Sequence, residues 1–442
     1  MPRRTLAWVS ATGVGALAAI GGLATIGGAT AESVGNARAA ATVKRVGRAA
    51  ATVKRVGSAA VPIHQTATAR LAAPSTQPTS FDISWVDPQT GTYYLSDRTN
   101  NGVDAHRAAA HSSEEVVGRG AFAGTGVAAT PSQKSTCGPL GVQGPNGNVV
   151  VHTGGVTQLW ASDGVTASSP SSSMKIFNLT SPTSGKLAAT VSTGGVCRAD
   201  ELSYDARDRV MMVANDLDSP PYVSFISVNR DPTKDRVLGT LKFPHAIDGL
   251  EQSVWDPSTN RFYINVPQVP STNGAWRGEV AVIAPGTRSI KRTFPVTGCS
   301  PAGLALDPKA QRMLLGCSGD AMAGDTVGSK KYRPNPGVTY VMNARTGRIV
   351  ASLRQVSGSD EVGFDSASQR YYLGAESMTS NGRSTGYPTP VLGVISASTN
   401  RWIANIPTAA SAHSLAVDPR NHQVLVPIPH YGLAVFSDAG AR

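Results

Sequence analysis

The sequence predicts an all-β fold: a β-propeller of seven four-stranded blades, with the ring closed by a strand from the N-terminal side. Three observations lead to this prediction. A unit recurs every 51 to 61 residues, nearly every unit contains the same two-strand hairpin, and the last unit is one strand short. A period of this size with Asp/Pro/Asn/Gly turns is typical of propellers, whose blades bury their faces against one another.

The recurring unit is a short apolar strand that ends in Asp, a polar turn and a second strand, as in "LEQSVWDPSTNRFYINVP" and "DEVGFDSASQRYYLGAE". An Asp at the start of such a turn accepts hydrogen bonds from the following backbone, and a Pro after it fixes φ for a type I turn. Seven units favour seven blades, with six or eight as alternatives. The predicted strand-ending residues are Asp87, Gly144 (in a degenerate copy), Asp205, Asp256, Asp307, Asp365 and Asp418.

The last unit supplies only three strands, within His413–Val417, Gln423–Pro427 and Gly432–Phe436. The segment "VPIHQTATARLA", residues 61–72, alternates between apolar and polar residues and is predicted to be the missing fourth strand. Pairing it with the last strand joins the two ends of the ring and removes an exposed sheet edge.

Residues 1–31 are predicted to be an export signal, because basic residues precede a Gly/Ala-rich apolar run that ends in "ATA". The pair Arg3-Arg4 resembles a twin-arginine signal, and an uncleaved anchor is the alternative. Residues 32–60 contain AATVKRVG twice and are interpreted as a disordered, basic, Ala-rich spacer, with a basic arm for an acidic cell surface as the alternative. No later segment has the ~18–20 apolar residues of a membrane span. The propeller domain, residues 61–442, is therefore predicted to be secreted or periplasmic.

Four cysteines suit an oxidising compartment. None forms C-x-x-C, which argues against a metal knuckle, and no C-x-x-C-H motif for covalent haem is present. Cys299 and Cys317 flank one hairpin centred near residue 308. Cys137 and Cys197 precede the predicted ends of neighbouring inner strands by seven and eight residues. The predicted disulfides are therefore Cys299–Cys317 and Cys137–Cys197.

The formal charge of +11 is concentrated at the N-terminus, where nine of the 40 Lys and Arg residues, but one of the 29 acidic residues, precede residue 74. The remaining 31 basic and 28 acidic residues leave the predicted domain nearly neutral. This distribution of charge gives little support for a nucleic-acid-binding face on the domain. We expect a monomer with a small-molecule ligand.

The repeated hairpins resemble those of the seven-bladed YVTN/lactonase-like propeller superfamily, secreted members of which carry this kind of "DP…YY" hairpin. The resemblance extends over about residues 75–442. It implies a fold and leaves the activity open, because propellers host enzymes, cofactor binders and scaffolds alike.

The first strand of each propeller blade lines a central channel, so aligned units show which residues share a channel position. Five of the seven residues at the first position are carboxylate or imidazole, which predicts a polar axial site. Arg198, His245 and Asp248 lie upstream of two of these strands and are further candidates. The aligned residues are Asp82, Pro139, Asp200, Glu251, Ala302, Asp360 and His413, followed at the next position by Ile83, Leu140, Glu201, Gln252, Gly303, Glu361 and Ser414.

Carboxylates that converge on an axis repel one another unless a cation or shared protons intervene. Oxygen ligands with an imidazole suit Ca²⁺, Mg²⁺, Mn²⁺, Fe²⁺ or Zn²⁺. The predicted metal ligands are Asp200, Glu251, Asp360 and His413. The candidate catalytic residues are Glu251, His413, Asp360, Arg198 and His245.

The predicted function is that of an exported enzyme acting on a small oxygenated metabolite, as a lactonase, lyase or isomerase does. The alternative is a non-catalytic propeller that binds a protein or glycan. In that case the channel acids are solvated or paired with Arg198, and they only stabilise the ring. Trp85 and Trp255 are assigned to packing between blades.

Overall fold

The computed structural model describes residues 63–69, 71, 77–107, 116–270, 277–318, 337–382 and 386–438. The predicted export signal and basic spacer lie outside the described residues. All described residues belong to one compact unit, Val61–Arg442.

The described residues form seven four-stranded antiparallel sheets, each of which is one blade. Strand β1 (Ile63–Ala69) precedes the first blade and belongs to the last. Blade 1 contains β2 (Phe81–Val86), β3 (Thr92–Asp97), β4 (Gly102–Arg107) and β5 (Val116–Val117). Blade 2 contains β6 (Asn148–Thr153), β7 (Val156–Asp163), β8 (Ser173–Ser181) and β9 (Ser184–Ser192). Between them lies the short helix α1 (Pro131–Cys137).

The next four blades follow the same order. Blade 3 contains β10 (Leu202–Asp205), β11 (Val210–Asn215), β12 (Tyr222–Ser227) and β13 (Val237–Lys242), with a 3-10 turn at Pro232–Lys234. Blade 4 contains β14 (Ser253–Asp256), β15 (Arg261–Val269), β16 (Arg277–Ala284) and β17 (Ser289–Thr297). Blade 5 contains β18 (Pro301–Asp307), β19 (Arg312–Cys317), β20 (Thr339–Asn343) and β21 (Ile349–Leu353). Blade 6 contains β22 (Val362–Asp365), β23 (Arg370–Ala375), β24 (Val391–Ser396) and β25 (Arg401–Pro407).

Blade 7 contains β26 (Ala416–Asp418), β27 (Gln423–Ile428) and β28 (Gly432–Asp438), with β1 as its outermost strand. The antiparallel register runs from Ile63 opposite Asp438 to Ala69 opposite Leu433. The first strand of every blade contacts the first strands of both neighbouring blades, and β26 contacts β2. The predicted seven-bladed ring and its closure by an N-terminal strand are both confirmed.

The predicted turn chemistry is also confirmed. In blade 5, the Asp307 carboxylate accepts hydrogen bonds from the backbone N–H groups of Lys309 and Ala310, each at 3.0 Å. The residue four positions after each strand-ending Asp has a left-handed backbone, which carries the chain into the second strand. These residues, with φ between 52° and 69°, are Gly91, Arg209, Asn260, Gln311, Gln369 and His422.

The alignment of blade 2 from the sequence is wrong. Its inner strand is β6, Asn148–Thr153, and not the segment that ends at Gly144. The backbone N–H of Asn146 donates to the Ser162 carbonyl, just as the N–H of Asp200 donates to the Ala214 carbonyl in blade 3. Asn146 therefore holds the position assigned to Pro139. The error arose because β6 does not end in Asp, so the most reliable marker of the repeat is missing.

Both predicted disulfides are present. Cys299–Cys317 joins the start of blade 5 to the end of its second strand, and Cys137–Cys197 joins α1 to the segment before blade 3. The apolar core lies between adjacent blades, as shown by Phe225 of blade 3 against Phe262 of blade 4, whose ring centroids are 6.4 Å apart. In the part of the chain that the structure describes, no helix has the length and apolar character needed to cross a membrane.

Candidate functional site

A layer of charged side chains lies where the inner strands begin. Some come from residues at or just before the start of these strands, and others follow the second strand of a blade, which runs antiparallel and ends at the same level. Ion pairs and close electrostatic interactions connect the members, and every one is at least half-buried. We call this the axial layer: Asp82, Arg98, Arg198, Asp200, Asp216, Glu251, Asp360 and His413.

Arg198 is at the centre of the ion pairs in the axial layer. Its Nη2 atom lies 2.5 Å from Asp200 Oδ2 and 2.9 Å from Asp216 Oδ2, and its Nε donates to the same Asp216 oxygen at 3.0 Å. Its Nη1 atom lies 3.7 Å from Asp82 Oδ2, which belongs to blade 1. One guanidinium group therefore serves three carboxylates from two blades.

Arg98 joins the first three blades. Its Nη2 donates to Asp82 Oδ2 and, at 2.7 Å, to the amide oxygen of Asn146. The Asn146 amide then donates at 2.6 Å to the Ala199 carbonyl of the segment leading into blade 3. Burial opposes ionisation of Asp82, but the nearby charges of Arg98, His413 and Arg198 hold its pKa well below the usual range.

His413 completes the layer from blade 7. Its ring stacks on Phe81, with centroids 5.1 Å apart and an interplanar angle of 10°, and its Nε2 lies 3.6 Å from Asp82 Oδ1. Burial favours the neutral ring, but the interaction with Asp82 and the charge of Asp360 outweigh it and raise the pKa of His413 to about 9. At neutral pH, His413 is therefore an imidazolium.

Three acids of the layer, Asp200, Glu251 and Asp360, hold protons more tightly than they would in water. Burial raises the pKa of Asp360 to about 6, although the charge of His413 opposes the shift. Burial and the charges of Asp360 and Asp200 raise the pKa of Glu251 well above its usual value. The pKa of Asp200 is also raised, by burial and by the carboxylates that share Arg198 with it. One connected layer thus contains both a strongly ionised carboxylate, Asp82, and proton-holding carboxyl groups.

Two acceptors in this layer have no protein partner. Asp200 Oδ1 and Asp216 Oδ1 are buried, and neither accepts a hydrogen bond from any residue that the structure describes. A buried carboxylate oxygen without a donor is costly, so such atoms are normally satisfied by water or by a ligand. Both atoms therefore point to donor groups of a bound small molecule or of ordered water.

A second set of polar side chains lies one position further along the inner strands. Glu201 of blade 3 is hydrogen-bonded to Glu361 of blade 6, and the Gln252 amide of blade 4 donates to Glu361 Oε2 at 2.6 Å. The Gln252 carbonyl accepts from the backbone N–H groups of Leu304 at 2.6 Å and Val362 at 3.2 Å. We call Glu201, Gln252 and Glu361 the carboxyl bridge. Burial raises the pKa of Glu361 to about 8, and burial together with Glu361 raises the pKa of Glu201 well above its usual value, so the bridge holds protons at neutral pH.

The structure brings together five of the residues predicted from the sequence, Arg198, Asp200, Glu251, Asp360 and His413. His245, predicted to reach the same site, instead lies in a separate surface cleft of about 380 Å³ with Arg277 and Glu279. His245 follows β13, the outermost strand of blade 3, and lies beside the two outer strands of blade 4. His245 is therefore not part of the axial layer.

Arg98 and Asp216 were missed by the sequence analysis. Each directly follows the second strand of its blade, β3 or β11, and Glu376 follows β23 in the same way. The charge of Glu376 acts on both Asp360 and His413. A comparison of the residues after the second strands would have found these three side chains.

The predicted metal site fits the observed arrangement poorly. Asp200 is paired with Arg198, and His413 faces Asp82 as an imidazolium, so two of the four proposed ligands are engaged with other groups. Among the described residues, no group of three or more His, Cys, Asp or Glu side chains is arranged to hold a metal ion. The guanidinium of Arg198 occupies the position where a cation would offset the converging acids.

Comparison with known proteins supports the fold. No family model matches the chain, and no curated protein matches it. The resemblance to the YVTN/lactonase-like superfamily therefore stays a prediction. A chain of the solved structure "Crystal Structure of Mitotic Checkpoint Complex" is similar over 91% of this chain and 99% of its own, with a TM-score of 0.52 and 14% identity. Hydrazine synthase of Kuenenia stuttgartiensis is similar over 81% of this chain and 96% of its own, with a TM-score of 0.59 and 11% identity. At these identities the likeness concerns the fold alone.

Proposed function

We propose that this chain is an enzyme that transfers protons to and from a small oxygenated metabolite bound at the axial layer. The observation that carries the proposal is that ionised and proton-holding groups stand side by side in one buried layer, at the shared end of the inner strands. Titratable groups whose pKa values are pushed apart by their surroundings are a common feature of acid–base sites.

Each group has a role that follows from its environment. Asp360, with its pKa raised to about 6, is mostly ionised at neutral pH and is basic enough to accept a proton. Glu251, with its pKa raised well above the usual range, is the proton donor. The imidazolium of His413 stabilises negative charge that develops on a substrate oxygen.

Arg198 acts as a positioning residue in this proposal. It fixes the Oδ2 atoms of Asp200 and Asp216, which leaves their Oδ1 atoms for the hydroxyl groups of the metabolite. Small hydroxylactones, hydroxy acids and sugar acids have such hydroxyl groups near a carbonyl carbon. We therefore propose this class as the substrate. The two disulfides support a site of action in an oxidising compartment outside the cytoplasm.

The test is a turnover screen with this class of compounds, followed by nuclear magnetic resonance of the substrate, on the wild-type protein and on the Asp360→Asn variant. We expect turnover of at least one compound, and a loss of roughly 10²–10⁴-fold in kcat for the variant with little change in binding. Asp208→Asn is the matched control, because Asp208 lies on the surface of a hairpin turn. Equal turnover by Asp360→Asn and wild type would exclude the assigned role.

The second candidate is a non-catalytic binding or scaffold propeller. It is favoured by the way in which the polar side chains connect blades, as Arg98, Asn146 and Gln252 do. If compounds of the screen bind at the axial layer and none is converted, this second function replaces the first. Elemental analysis of the purified protein tests the metal prediction independently.

A further inference from the structure

Below the carboxyl bridge, the central channel continues to the opposite face of the ring as a cavity of about 490 Å³. This volume is typical of sites for small molecules. All seven inner strands contribute to its wall, and most of the side chains are apolar. The proposed function does not involve this half of the channel. The apolar wall of the cavity includes Val149, Leu202, Val254, Leu304, Leu415 and Val417.

The outer end of the cavity is aromatic. Trp85, Tyr204, Trp255 and Phe364 line it, and all four retain solvent exposure, up to 36% for Trp85. Their position in the repeat predicts packing between blades for Trp85 and Trp255. Both rings line the channel next to the hairpin turns, and Trp255 also packs against the apolar core between blades 3 and 4, as predicted.

The inner end of the cavity is acidic. Glu201 lines the cavity and is only 5% exposed, and Glu361 behind it is also 5% exposed. The cavity lining, as far as the structure describes it, contains no Lys, Arg or His. Gln252, the neighbour of both acids, already uses its amide group on Glu361 and on backbone atoms. The inner end therefore offers carboxyl oxygens and no cationic partner.

We propose that this half of the channel binds an amphipathic organic cation, with its protonated amine at Glu201 and its apolar body along the wall to the aromatic rim. Charge complementarity selects this class of ligand. An acidic head would face two carboxyl groups, and an alcohol carries no positive charge with which to stabilise an ionised Glu201. The rings at the rim also attract a cation while it enters the channel.

The titration of the carboxyl bridge agrees with this ligand class. Burial and the neighbouring charge of Glu361 raise the pKa of Glu201 well above its usual value, and no basic group is among the main influences on it. An ammonium group placed there lowers the pKa again, so binding releases a proton to the solvent. Proton release is an observable that simple partition of an apolar molecule into the channel does not produce.

The probes are n-hexylamine, 1-hexanol and sodium hexanoate, titrated into the purified protein at pH 7 and followed by tryptophan fluorescence and by calorimetry in two buffers of different ionisation enthalpy. We expect the amine to bind about tenfold tighter than the alcohol or more, with proton release, and the carboxylate to bind weakest. Each methylene added to the amine should strengthen binding about fourfold while the chain fits the cavity.

Two variants measure separately how the charged amine and the apolar chain of the ligand contribute to its affinity. Glu201→Gln should reduce the affinity for the amine to that for the alcohol and abolish proton release. Val254→Trp narrows the half-buried wall and should weaken the amine and the alcohol alike. Circular dichroism and a thermal melt verify that each variant is folded. Asp208→Asn, on the surface of a hairpin turn, is the matched control and should leave amine binding unchanged.

Equal affinities for amine and alcohol in the wild-type protein would overturn the proposal without any variant. So would an amine preference that persists in folded Glu201→Gln, or amine binding that is unaffected by Val254→Trp.

Discussion

The two halves of the central channel are built from the same seven inner strands and have opposite chemistry. Where the strands begin, the axial layer contains charged groups from five blades. Where they end, the wall is apolar and the rim is aromatic. The repeated hairpin accounts for the difference. Six of the seven inner strands lead into a turn with a fixed Asp and fixed backbone geometry, whereas the beginning of a strand carries no such constraint. The free end of the repeat is therefore where side chains can vary for function.

The two halves also differ in how they are stabilised. The axial layer depends on individual partners, since Arg198 alone serves three carboxylates. The wall depends on packing spread over many side chains. Removal of one partner from the layer should consequently lower the free energy of unfolding more than removal of a few methyl groups from the wall.

The largest effect is expected from Arg198→Met. Without the guanidinium, Asp82, Asp200 and Asp216 lose a shared cation, and the free energy of unfolding at pH 7 should fall by about 3–5 kcal/mol. Chemical denaturation measures this loss. It should be smaller at pH 4, where the carboxyl groups are protonated more readily.

Arg207→Met is the matched control, because the Arg207 side chain is 67% exposed and its ion pair with Asp208 is on the surface. The control should change stability by less than about 0.5 kcal/mol. Losses of similar size for Arg198→Met and Arg207→Met would mean that the axial layer is solvated rather than buried.

A smaller loss of unfolding free energy is expected from Gln252→Leu, at the boundary between the two halves of the channel. The substitution removes the acceptor for two backbone N–H groups and a donor to Glu361, which should cost about 1–3 kcal/mol. The exposed Gln89 of a hairpin turn provides the control, Gln89→Leu. If Gln252→Leu were as stable as that control, the carboxyl bridge would have no role in connecting the blades.

The smallest loss of unfolding free energy is expected in the apolar wall of the channel, where Val254→Ala should cost about 1 kcal/mol. Val254 is only half-buried, and its truncation leaves no polar group without a partner. The same denaturation experiment measures this loss. A loss greater than that of Arg198→Met would reverse the comparison between the halves.

Most of the fold could be predicted from the sequence, because the same two-strand unit recurs seven times along the chain, once in a degenerate form. The period, the Asp turns, the closing strand and both cysteine pairs all follow from spacing and local turn chemistry. Blade 2 could not be aligned because β6 lacks the terminal Asp. The error hid Asn146, the amide that links Arg98 to the third blade.

The site was predicted less completely than the fold. Alignment places Asp200, Glu251, Asp360 and His413 at one level, but it does not show which charges neutralise one another. Arg98 and Asp216 come from second strands, which the alignment of inner strands did not compare. The apolar cavity was also missed, because its wall consists of ordinary strand residues whose arrangement around an axis appears only in three dimensions.

The central claim is that the axial layer and the carboxyl bridge hold protons in the folded state that the unfolded chain releases. Raised folded-state pKa values of about 6 for Asp360, about 8 for Glu361 and about 9 for His413 all act in one direction. Between pH 5 and pH 9 the folded protein then binds more protons than the unfolded chain, so stability must decrease as the pH rises. Asp82, with its lowered pKa, has the opposite effect only below about pH 4.

The most direct measurement is the free energy of unfolding from pH 5 to pH 9, by chemical denaturation, for the wild-type protein and for the double variant Asp360→Asn, Glu361→Gln. The account predicts that wild-type stability falls steadily across this range. It also predicts that the variant has a shallower slope and, by pH 9, is more stable than the wild type, because it no longer forces charge into the channel. A flat or rising wild-type profile, or identical slopes for the two proteins, would contradict it.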